Sequence, residues 1–134
     1  MVQEPRQAEF SEQAHLEVAA EVSRLLADGT MPGTDLIAED ATASGAVFGS
    51  ALGDVMPLLR DRLRVLLEGA GTGMTTRESV VAPGGEVLVV SVAHDEGSAW
   101  IIAVVNEFRD GRIVHATAYQ DVAEAYAAVG LPAP

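Results

Sequence analysis

The chain has 134 residues, no cysteine, and 20 acidic residues against eight arginines, for a formal net charge of −12. That length predicts one domain with a real core, and the charge repels phosphate backbones, so nucleic acid is excluded as a partner. Absence of cysteine excludes disulfides, thiolate chemistry and zinc–thiolate sites.

The hydrophobic fraction is 49% with only three Phe, two Tyr and one Trp, so Ala, Val, Leu and Ile must build the interior. No apolar run reaches the 18 or so residues of a membrane span. The polar, acidic start is unlike a secretion signal, and a cytoplasmic protein is expected.

Residues 1–9 read as a flexible arm. Over 10–28, Ala14, Val18, Val22, Leu25 and Leu26 recur at helical spacing, and His15 is expected to face solvent. Residues 29–33, Gly-Thr-Met-Pro-Gly, break that helix. Residues 35–40 suggest one or two helical turns and 41–48 a short strand. Asp54 is a plausible N-cap for a helix over 54–68, with Pro57 in its first turn. The glycines at 69, 71 and 73 end it; they lack the Gly-Lys-Ser/Thr of a phosphate loop and follow a helix rather than open one. Strands are predicted over 75–82 and 86–95, joined by Pro83-Gly84-Gly85.

The last third is the most legible. A long strand from Ser98, a tight Arg109-Asp110-Gly111-Arg112 turn and a second strand form a hairpin, because Gly accepts the positive φ such turns need. Asp121 can cap a helix over 122–129, with Glu124 in capping-box position, and Gly130-Leu131-Pro132 stops it. Helices first and a strand meander afterwards mean α+β, one curved sheet wrapped on N-terminal helices with a short C-terminal helix.

This order, with Leu36-Ile-Ala-Glu-Asp-Ala-Thr-Ala-Ser44 at the first strand and Phe108-Arg-Asp-Gly-Arg-Ile-Val-His-Ala-Thr-Ala-Tyr-Gln-Asp-Val-Ala-Glu-Ala125 at the end, resembles the SnoaL-like and ketosteroid-isomerase-like group of the nuclear-transport-factor-type cone fold. The resemblance covers about residues 10–131, leaving 132–134 as a tail. It implies a curved antiparallel sheet forming a cone with a one-ended pocket between its concave face and the helices. It also implies an isomerase- or cyclase-type activity on an apolar, carbonyl-bearing compound, polyketide- or steroid-like, with no cofactor.

Strand alternation then names the pocket wall. If Asn106 points inward, so do Trp100, Ile102 and Val104, and on neighbouring strands Val87, Val89, Ser91 and Ala93, and Val114, Ala116, Ala118 and Gln120. The opposite parity carries His94, Glu107, Ile113, His115, Thr117 and Tyr119, which suits an outer face pairing two subunits as a homodimer. The group's general-base position falls on Gly45, its substrate-binding acid on Asn106, and its helix phenol near Val22; the epoxide-opening relatives' pair falls on Val104 and Ala118. None of these constellations of charge is intact. Asn106 can donate to a carbonyl or developing oxyanion, and Asp40 and Asp121 are the carboxylates left as candidate bases. Val89, Ser91, Ala93, Trp100, Ile102, Val104, Ala116, Ala118 and Gln120 are the expected ligand contacts. His94 and His115 are expected near each other across the sheet on the outer parity, but they lack a third ligand, so no metal is expected. The alternative from another class is a ligand-binding or assembly module that kept the cone and lost the acids.

Overall fold

The computed structural model describes residues 4–47, 50–51, 74–95, 98–119 and 121–132. The helix expected over 54–68 and the glycine loop after it lie outside them. The described elements are α1 (Glu4–Ala27), β1 (Ile37–Val47), β2 (Ser50–Ala51), β3 (Met74–Val81), β4 (Val87–Asp95), β5 (Ser98–Arg109), β6 (Arg112–Tyr119) and α2 (Val122–Ala128).

Helix α1 starts earlier than its apolar stripe suggested. Residues 4–9, read as an arm, are helical, and Pro5 sits in the first turn, where a missing N–H is free. Its other end is closed by Gly29 at φ 75°, with Thr30 N donating to Leu25 O at 2.8 Å and Gly29 N to Leu26 O at 3.0 Å. Of the helical turns expected over 35–40, a single turn forms, with Leu36 N and Ile37 N both donating to Gly33 O at 3.1 Å, and residues 37–40 are instead the start of β1. Ile37 pairs with Ile113 and is fully buried, so tertiary pairing overrides the local preference.

The sheet runs in the order β2-β1-β6-β5-β4-β3. It is mixed rather than antiparallel, because β1 lies parallel to β6 while every other pair is antiparallel. Register shifts between Ile37 and Thr42, between Thr76 and Glu78, and between Glu107 and Phe108 each insert unpaired residues, which bend strands and increase twist. The result is a curved sheet that does not close.

The helices lie on opposite faces. On one face Ala19 of α1 packs on Val87 and Val89, and Val22 packs with Ala43 and Ala116. On the other, Ala125 and Tyr126 of α2 cover Leu88, Val90, Ala103 and Val105. Alternation assigned these faces well, with two exceptions. The bulge around Val114 lets Ile113 turn back into the α1-side core, although uninterrupted alternation put it outside. Tyr119 packs beneath α2, so it is not part of an open outer surface.

Helix α2 ends as its residues predict. Asp121 accepts from Ala123 N at 2.9 Å and Glu124 N at 3.4 Å. Gly130 has φ 78°, and Leu131 N returns to Tyr126 O at 2.9 Å. The Tyr126 hydroxyl donates to the Glu78 carboxylate, tying α2 to the edge strand β3.

Candidate functional site

Cross-strand register builds the α1 face in rows. One row runs Val87, Asn106, Ala116 and Ala43; the next runs Ser79, Val89, Val104, Ala118 and Gly45; the third runs Thr76, Ser91 and Ile102. Eight of the expected wall residues therefore share one face: Val87, Val89, Ser91, Ile102, Val104, Asn106, Ala116 and Ala118. Ala93 and Trp100 pair with each other in the following row. Gln120 lies outside the described residues.

Asn106 and Ser91 are the two buried polar side chains among the described residues, at 7% and 4% exposure. Asn106 Nδ2 donates to Val87 O at 3.3 Å. That leaves a second amide hydrogen, while among the described residues no donor reaches Oδ1. None of the side chains in the three rows ionises, so the face offers directed but uncharged hydrogen bonding.

The carboxylates proposed as bases do not join Asn106. Asp40 falls in the irregular stretch of β1 between Ile37 and Thr42. It is exposed and held by Arg109, whose Nη2 reaches Oδ1 at 3.0 Å and Oδ2 at 3.1 Å. The guanidinium keeps the Asp40 carboxyl below its ordinary range, making it a weaker base. Asp121 is spent on capping α2, the helix packed on the opposite face. Gly45 cannot be the site of a lost side chain that simply needs restoring. Its φ is +101°, and a β-carbon there would lie 2.0 Å from Ala118 O.

The structure also corrects the histidines. His15 is half-buried, stacked on Phe108 with ring centroids 4.1 Å apart and planes 5° apart. Its Nδ1–H donates to Gly85 O at 2.9 Å, which leaves Nε2 as the lone-pair nitrogen of the neutral ring. The sequence did carry a signal, since His15 stands four and seven residues before Ala19 and Val22 on the buried stripe. His94 and His115 are not neighbours. They pair with Ala99 and Glu107, eight positions apart along β5, or roughly 26 Å at about 3.3 Å per residue. His115 is held on the outer face by Thr42 Oγ1 at 2.6 Å and Ser44 Oγ at 3.1 Å. Among the described residues no group of three His, Cys, Asp or Glu side chains could hold a metal.

One feature was missed by alternation. Between α1 and β3 opens a cleft of about 370 Å³ whose lining includes Ser23, Arg24, Thr76 and Ser79. Thr76 is three residues from Ser79 and would face the other way in a regular strand. The extra residue Arg77 at the β3 bulge returns both hydroxyls to the α1 face.

No family profile matches the sequence, and no curated protein matches it. Solved structures do. An NTF-2-like protein of unknown function from Burkholderia xenovorans LB400 superposes with TM-score 0.66 at 18% identity, over 81% of this chain and 83% of that one. A steroid delta-isomerase from Pseudomonas aeruginosa gives 0.61 at 18%, over 79% and 78%. An epoxide hydrolase of the LEH-like type from M. tuberculosis gives 0.59 at 16%, over 87% and 85%. The chain has the nuclear-transport-factor-2-like, ketosteroid-isomerase-like α+β fold. Proteins of that fold carry unrelated activities, so function must be argued from the site. No helix among the described residues is long and apolar enough to cross a membrane.

Proposed function

We propose that this protein binds a neutral, largely apolar small molecule bearing a carbonyl, polyketide- or steroid-like, on the α1 face of its sheet. The observation that supports this is Asn106: buried, uncharged, anchored to Val87 O through one amide hydrogen, and flanked by Val89, Val104 and Ala116. An apolar wall with a few convergent polar groups is the general form of a small-molecule site. The test is equilibrium binding of a medium-chain ketone, dodecan-2-one, by calorimetry. Asn106→Leu should weaken it about fivefold to tenfold, the order of one neutral hydrogen bond. An unchanged affinity would remove Asn106 from the site.

A second reading, isomerase- or cyclase-type turnover, draws support from the structural likeness to a steroid delta-isomerase. Loss of a general base typically costs 10²–10⁴-fold, and Gly45, Asp40 and Asp121 supply none on this face. His15 Nε2 is the described lone pair that could serve. Proton exchange at the carbon next to an unsaturated ketone's carbonyl, abolished by His15→Gln and indifferent to Asp40→Asn and Asp121→Asn, would establish turnover.

Homodimerisation belongs to this proposal as well. The outer face beyond α2, carrying Thr42, Ser44, His115 and Thr117, is where two copies would meet. With a net charge of −12, their association should strengthen as salt screens the repulsion. Sedimentation of a monomer at high salt and high concentration would refute it.

A further inference from the structure

We infer that Ser44, on the outer face of the sheet, is a nucleophile: His115 takes its proton, Thr42 holds the imidazole in the required tautomer, and the substrate is a small, uncharged, activated ester. This goes beyond the ketone site, which lies on the α1 face, and stands independently of it.

Sequence and register assemble the group. In β1 the stretch Thr42-Ala43-Ser44 alternates hydroxyl and apolar side chains, and in β6 His115-Ala116-Thr117 alternates in the same way. The parallel pairing sets Thr42 opposite His115 and Ser44 opposite Thr117. Ala43 and Ala116 pack with Val22 of α1, so alternation sends the four polar side chains to the other face. All four are half-buried, open enough for a small molecule to reach. The His115 ring lies between two hydroxyls, with Nδ1 2.6 Å from Thr42 Oγ1 and Nε2 3.1 Å from Ser44 Oγ. Ser44 Oγ and Thr117 Oγ1 lie 3.4 Å apart.

An activated hydroxyl needs its base within hydrogen-bond reach and that base oriented by a third group. Ser44 has one proton to give. The imidazole lone pair is nearer to it than the Thr117 oxygen and is the better acceptor. With Ser44 donating to Nε2, the neutral ring carries its N–H on Nδ1, and Thr42 accepts it. Of the two hydroxyls on the ring, that of Ser44 is primary and the less hindered. On attack, Ser44 Oγ bonds to the acyl carbon, its proton passes to Nε2, and the Thr117 hydroxyl donates to the developing oxyanion. The bond to the leaving oxygen then breaks, and that oxygen takes the proton from Nε2. Water attacks the acyl-serine in the same way, releasing the carboxylic acid and returning the proton to Ser44. Hydrolytic triads place a carboxylate behind the histidine to stabilise the imidazolium. Thr42 is neutral, so the site suits esters whose leaving group departs readily and not amides. The net charge of −12 repels anionic acyl donors.

The homodimer proposed above would cover these residues, so the test uses dilute protein at low salt, where repulsion between copies is strongest. Diisopropyl fluorophosphate is the covalent probe, losing fluoride as its phosphorus bonds to oxygen, and p-nitrophenyl acetate is the substrate. Intact mass should show a single adduct, which peptide mapping places on Ser44, and Ser44→Ala should abolish both the adduct and the release of p-nitrophenolate above buffer. His115→Gln should slow labelling and release by about 10²-fold or more, as loss of a general base implies. Thr42→Val should slow both and Thr42→Ser should restore them, a rescue that packing alone would not give. Circular dichroism melting verifies that each variant is folded. No adduct on Ser44 in wild type, an adduct on Thr42 in its place, or labelling as fast in His115→Gln as in wild type would overturn the inference. Each of these outcomes leaves the ketone site untouched, because that site is read by dodecan-2-one binding alone.

Discussion

Gly45 and Ala118 face each other across the parallel β1–β6 pair so closely that a β-carbon on Gly45 would lie 2.0 Å from the Ala118 carbonyl oxygen. The position to which the resemblance assigns the isomerases' base is here a backbone contact. Gly45→Ala and Gly45→Asp should each cost roughly 2–5 kcal/mol, combining positive-φ strain with overpacking against a rigid carbonyl. Gly45→Asp should gain no isomerase activity. Thermal melting and the ketone proton-exchange assay check both statements; a stable, active Gly45→Asp would contradict the register of β1 on β6.

Asn106→Asp tests the neutrality of the α1 face. A carboxyl placed there is desolvated by Val104 and Ala116, which favours its protonated form. The protonated acid still donates a hydrogen bond, so dodecan-2-one should bind the variant at low pH and progressively less as the group ionises. The wild type, with an amide, should show no such loss over the same range. A variant whose affinity is indifferent to pH would place residue 106 in contact with water rather than ligand.

Tyr126 gives the protein an alkaline limit. Its hydrogen bond to Glu78, then burial, raise the phenol above its ordinary value of 10. A folded-state value above the unfolded one means the contribution is fully present below pH 10 and is lost as pH rises through the raised value. Tyr126→Phe should therefore lower stability at neutral pH by about 1.5 kcal/mol, the lower end for a bond to a charged partner. It should also flatten the stability profile above pH 10. Urea melts at pH 8 and pH 11 would show a gap between wild type and variant that narrows at the higher value.

Asp40 and Arg109 act at the acidic end. The guanidinium depresses the Asp40 carboxyl, so its contribution is present above the ordinary aspartate range and lost as pH falls through the depressed value. The pair is exposed, and such pairs contribute little. Asp40→Asn should leave stability at pH 7 nearly unchanged and soften the acid limb only slightly, as acid titration followed by circular dichroism will record.

The His15–Phe108 stack should be structural whether or not His15 also moves protons. Aromatic pairs add about 0.5–1.5 kcal/mol beyond their buried area, and the Gly85 bond adds a further donor contact. His15→Ala should lower the melting temperature by several degrees, with His15→Phe recovering the stack but not the bond. An unchanged melting temperature in His15→Ala would show the ring to be idle.

Much of this molecule was legible in its residues because the signals were local. Asp121, Glu124, Gly130 and Leu131 carry the whole of α2 in their own hydrogen bonds. The Asp110-Gly111 turn sets the β5–β6 hairpin, and alternation placed Asn106, Ser91, Val89 and Val104 on a common face. What alternation could not foresee is where it stops. The unpaired residues at Arg77 and Val114 cost nothing detectable in sequence, yet they reverse the faces of Thr76 relative to Ser79 and of Ile113 relative to His115. The parallel pairing of β1 with β6 joins residues some 70 apart, so it decided that Asp40 faces Arg109, that Ile37 is strand rather than helix, and that Gly45 has no room for a base. Periodicity belongs to one strand at a time; bulges and long-range pairing are settled by the neighbour, and only the folded sheet supplies the neighbour.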